Sequence, residues 1–63
     1  MKYYYTEYFT DKEPNKPHYW RHIGTYNGCI EDCKNHPEIC KANICEYKTR
    51  KVVFVYKRAE NEN

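Results

Sequence analysis

The sequence has no leucine, no serine and no glutamine, and only two glycines and one methionine among its 63 residues. Each absence excludes something. Without serine there is no serine nucleophile, and two glycines cannot build a glycine-rich loop to cradle a phosphate. No pair of carboxylates sits at a spacing that suggests acid–base work. The longest strongly apolar stretch, Val52-Val53-Phe54-Val55-Tyr56, is the length of a strand and far short of the ~20 residues a membrane helix needs. No tight CxxC pair occurs. A net charge of +2 leaves no strongly basic or acidic tail. Leu, Ile, Val and Phe together make only 9 of the 63 residues, a share that alone points toward disorder.

Aromatic residues reverse that inference. Eight tyrosines, two phenylalanines and one tryptophan bring the aromatic share to 17%, and each buried ring removes roughly 150–250 Å² from water. The chain is long enough for one small domain, expected over residues 1–58 with a polar tail at 59–63. A domain of this size hides only about 60% of its unfolded surface and is marginally stable.

Lys2 to Phe9 reads as a strand, with Tyr3, Tyr5, Glu7 and Phe9 on one face and Tyr4, Thr6 and Tyr8 on the other. Thr10 to Pro17, with two prolines, an asparagine and alternating charge, reads as a loop. A second strand is expected at His18–Ile23, where His18, Trp20 and His22 share a face. Gly24 to Gly28 carries turn signals and a helix entry at Asn27. The helix is expected over Cys29–Asn35, stopping before Pro37, with Cys29, Cys33, His36 and Cys40 forming a core-facing stripe. Ile44–Lys48 and Val52–Lys57 read as a hairpin about a charged turn at Thr49-Arg50. The order predicts an α+β domain, ββαββ, with a four-stranded antiparallel sheet and one helix. A single helix covers only one face, so the other face must be a wet aromatic surface or an interface.

The four cysteines, Cys29, Cys33, Cys40 and Cys45, lie within 17 residues of one another with His36 between. No export signal is visible in Met1-Lys2-Tyr3-Tyr4-Tyr5, so the expected compartment is the reducing cytoplasm, where disulfides are rare. The preferred reading is small buried hydrophobes with no cofactor. The alternative is a structural zinc held by the four thiols. Cys33 and His36, three residues apart, are the closest approach to a thiol–imidazole pair, but so short a chain leaves little room for a substrate cleft. The expectation is a protein that is not an enzyme.

Charge concentrates in the last hairpin, where Lys48, Arg50, Lys51, Lys57 and Arg58 face a single acid, Glu46. Eight tyrosines are too many for so small a core, so several must be exposed. Tyrosine joins a large contact area to few rotors and a polar tip, which suits it to interfaces. The residues expected to bind are Tyr4, Tyr8, Trp20, Tyr47 and Tyr56 on the uncovered face, with Lys48, Arg50, Lys51 and Arg58 steering the encounter.

Taken whole, the chain resembles the very short proteins of bacteriophages and mobile elements. It shares their lysine-, tyrosine- and asparagine-rich texture, the tyrosine-rich opening strand and the closing hairpin Ile44-Cys45-Glu46-Tyr47…Lys51-Val52-Val53. The cysteine cluster departs from that texture. The resemblance implies a protein that binds and blocks a host machine, anti-CRISPR proteins being the best-known class. The implied partner is a host protein or ribonucleoprotein complex, met by a monomer or homodimer and away from any membrane. The second reading is a small module for single-stranded nucleic acid, with or without zinc, combining phosphate contacts with base stacking.

Overall fold

A computed structural model describes residues 2–59, apart from the side chains of Trp20, Arg21 and His22. The expected tail is therefore outside the described residues from position 60 onward. The element order is β1 (Tyr4–Thr10), β2 (His18–Gly24), α1 (Tyr26–Lys34), β3 (Ile39–Glu46) and β4 (Val52–Lys57). The ββαββ arrangement and its four-stranded antiparallel sheet are as the sequence predicts. Across the sheet the order is β2-β1-β3-β4, so the two central strands come from opposite halves of the chain.

The helix begins earlier than expected. Thr25 caps it, its Oγ1 accepting from Gly28 N at 2.9 Å, so Gly28 is a helical residue and not part of a turn. Glu31 and Asp32 therefore lie beyond the first turn. Helix α1 ends at Lys34 and is capped by Asn35, whose N–H reaches the Glu31 and Asp32 carbonyls at 3.0 and 3.2 Å. Of the expected stripe only Cys29 and Cys33 are buried on this helix. His36 lies past its end and donates through Nδ1 to the Asp32 carbonyl at 2.8 Å. Cys40 belongs to β3, which starts five residues before the strand read at Ile44.

One row of side chains explains which face the helix covers. Register places Thr6 opposite Ile44, Tyr8 opposite Ala42 and Ile44 opposite Phe54 on a single face. Thr6, Ala42 and Ile44 are all buried there, with Cys29 and Cys33 packed down from the helix and Ile39 beside them. Small residues on both layers allow a close approach. Tyr4, Tyr8, Tyr26, Ile30 and Tyr56 pack around this core. Tyr26 meets Tyr4 edge-on at 5.6 Å and Phe54 at 6.1 Å, and His18 stacks on Tyr8 at 5.2 Å.

Near the C-terminal end, one arginine joins three segments. Arg58 grips both Asp11 carboxylate oxygens, at 2.8 and 2.9 Å, and donates to the Pro37 carbonyl at 2.6 Å. The guanidinium bond holds the Asp11 carboxyl below the usual carboxylate range. A depressed carboxyl stabilises the fold above its unfolded pKa and loses that contribution as pH falls through the folded value. Asp11→Asn should therefore lower the urea midpoint at pH 7, and the gap from the parent should close by about pH 2. A gap that stays constant with pH would argue against the ion pair.

Candidate interaction surface

The uncovered face is set by the opposite parity. Tyr5 lies across from Ile23 on one side and Cys45 on the other, and Cys45 in turn faces Val52. The next row is Tyr19, Glu7, Asn43 and Val55, followed by Phe9, Lys41 and Lys57. Among the described residues no further element lies over these rows. Tyr19, Ile23, Val52 and Val55 expose 56, 48, 50 and 50% of their surface, so this face presents apolar side chains to solvent. They come from the two edge strands, while Tyr5 and Cys45 between them are buried.

The floor of this face is polar and tied together. Asn43 Nδ2 donates to Glu7 Oε1 at 3.1 Å. The Tyr19 hydroxyl also donates to Glu7, and that bond together with the carboxylate's charge pushes the phenol above its ordinary range. Burial raises the Tyr5 phenol, and its hydrogen bond to the Cys45 thiol adds to the effect. Tyr5, Glu7, Tyr19, Cys45, Arg50 and Val52 line a groove of about 720 Å³. Lys41 Nζ stands 4.8 Å from the Phe9 ring centre, a cation–π contact at the far end.

Three of the tyrosines expected on this face are elsewhere. Tyr4, Tyr8 and Tyr56 lie on the covered side, partly buried against the core. The physical reason is parity: both faces of the sheet carry tyrosine, and the small buried row Thr6–Ile44–Ala42 decides which face the helix takes. Tyr47 is on the expected side, edge-on to Tyr5 at 6.2 Å. The side chain of Trp20 lies outside the described residues. Lys48, Arg50 and Lys51 are exposed at the β3–β4 turn. Arg58 is not a free steering charge, because Asp11 and Pro37 hold it. The residues that sequence reasoning passed over are Tyr5, Glu7, Tyr19, Ile23, Val52 and Val55. Their alternation with the Thr6 row was the available signal.

The cysteines do not converge. Cys29 and Cys33 lie under the helix, whereas Cys45 faces the other way beside Tyr5. Cys40 donates its Sγ proton to the Phe9 carbonyl at 3.4 Å. All four are thiols rather than disulfides. Among the described residues no three metal-ligating side chains come together, so the four-thiol zinc alternative does not fit this geometry. Burial pushes the Cys29 and Cys45 thiols up, away from the thiolate a nucleophile needs.

Among the described residues, no helix is long and apolar enough to cross a membrane. Compared with protein-family models, with curated proteins and with solved structures, the chain matches none.

Proposed function

We propose that this chain is a non-enzymatic binding protein whose uncovered sheet face docks on a partner protein. The observation that carries the reading is the exposed apolar set Tyr19, Ile23, Val52 and Val55 around a hydrogen-bonded tyrosine floor. A rigid sheet presents these side chains with little ordering left to do on binding. Lys48, Arg50 and Lys51 at one end add a positive field that speeds encounter with an acidic surface. The raised thiols support a non-catalytic role. The target class is the one the resemblance implies, a host macromolecular complex that the chain would block, as an anti-CRISPR protein does.

The test is affinity capture from cells of the source, followed by binding measurements on the captured species. The double variant Tyr19→Ala/Val55→Glu should weaken its binding by about 30-fold or more, the size expected of central interface residues. The control Glu31→Ala/Lys34→Ala, on the exposed side of the helix, should bind as the parent does. Equal capture by all three proteins would sink the reading.

A further inference from the structure

A second cavity, of about 580 Å³, lies where the β3–β4 turn meets the N-terminal end of β1. Its lining is Lys2, Tyr3, Glu46, Tyr47, Lys48 and Arg50. Tyr3 and Tyr47 both show a large part of their rings to solvent. The one acid is already engaged: Glu46 takes a hydrogen bond from the Thr49 hydroxyl at 2.8 Å and lies 3.9 Å from Lys2 Nζ. Lys48 and Arg50 make no ion pair among the described residues. Two uncompensated cations thus stand beside two accessible aromatic rings.

Arg50 is also held in an unusual backbone state. Its φ of 64° makes it the single non-glycine residue with positive φ among those described. That region disfavours any side chain with a Cβ, and glycine or asparagine would serve the turn better. The turn fixes it firmly. Arg50 N donates to the Glu46 carbonyl at 2.8 Å, Glu46 N to the Lys51 carbonyl at 2.9 Å, and Lys51 N to Thr49 Oγ1 at 3.3 Å. Arg50 lines both this cavity and the sheet-face groove. A strained position occupied by a guanidinium between two cavities points to use of the guanidinium.

We infer that this end of the sheet is a binding site for single-stranded nucleic acid, with phosphate on Arg50 and Lys48 and a base on the exposed ring of Tyr3 or Tyr47. Arginine offers a fork that fits phosphate oxygens, and stacking on tyrosine tolerates any base. This goes beyond the protein docking proposed for the sheet face; the two sites adjoin and share Arg50, which lines both.

The test is fluorescence anisotropy with a labelled single strand of about 12 nucleotides, within the usual site range, as DNA and as RNA, beside an abasic strand carrying the same phosphates. The parent protein should bind at low salt, with affinity falling steeply as salt rises. Loss of the bases should weaken binding by about tenfold, the scale of one stacked base. Arg50→Gly should weaken binding at least fivefold while leaving the melting temperature equal or higher, because glycine relieves the positive φ. Arg50→Lys should keep most of the affinity. Three outcomes would each overturn the inference: no binding at low salt, equal affinity for base-bearing and abasic strands, or full binding by Arg50→Gly.

Discussion

Replacing Ile44 with alanine is expected to cost about 2–5 kcal/mol, the range for removing buried aliphatic carbons from a packed core. Ile44 is fully buried and sits on a central strand between Thr6 on one side and Phe54 on the other. The helix lies over it through Cys29 and Cys33. A domain of 63 residues has a total stability of roughly 3–9 kcal/mol. One substitution therefore removes about a fifth of it at the least, and at the most exceeds the whole. The remaining aliphatics cannot compensate, because the chain has no leucine and, among the described residues, the only other buried aliphatics are Ile39 and the small Ala42. Urea denaturation followed by circular dichroism measures the loss. Val55→Ala, on the exposed edge strand, is the comparison and should stay within about 0.5 kcal/mol of the parent. A loss below 1 kcal/mol for Ile44→Ala would mean that the core lies elsewhere.

The second large effect concerns the thiols. Cys29, Cys33 and Cys45 are buried, and two of them are also pushed up by that burial. An alkylating reagent reaches them only after the fold opens, so their labelling should slow by the opening equilibrium. With roughly 3–9 kcal/mol of stability and tenfold per 1.4 kcal/mol, native labelling should be about 10²–10⁶-fold slower than in denaturant. Cys40 is half-buried and should be modified first. Mass spectrometry of iodoacetamide adducts over time should show one early adduct on Cys40 and three late ones. Rapid uptake at all four positions would contradict the burial, and a chain with fewer than four reactive thiols in denaturant would contradict the reduced state.

Much of the architecture is legible in the residues. The alternation Tyr3, Tyr5, Glu7, Phe9 against Tyr4, Thr6, Tyr8 gives the two faces of β1, which runs Tyr4–Thr10 rather than from Lys2 to Phe9, and Val52–Lys57 is β4 to the residue. The first half of β3 is not legible. Cys40, Lys41, Ala42 and Asn43 lack both alternation and strong strand preference, yet they lie in a central strand because β1 and β4 pair with them from either side. Tertiary pairing overrides the weak local signal. The choice of covered face was hidden for a different reason. When both faces carry rings, hydrophobic parity does not distinguish them, and the choice falls to small residues at contact. Thr6 and Ala42, opposed to Cys29 and Cys33, are those residues. The candidate site inherits this ambiguity, which is why Tyr5 and Tyr19 belong to it and Tyr4 and Tyr8 do not.

The strand order carries a consequence in time. Each hairpin and the helix are local, but the seam between β1 and β3 joins residues such as Glu7 and Asn43, 36 positions apart. Loop closure must come before that seam gives any return, and chains dominated by such distant pairings fold slowly for their size. A lone two-stranded hairpin is marginal in water, so neither half persists while waiting for the other. During that interval the run from Val52 to Tyr56 is exposed on a growing chain. Lys51 and Lys57 bracket it, and like charges at both ends keep two nascent copies from pairing before each finds its own β3.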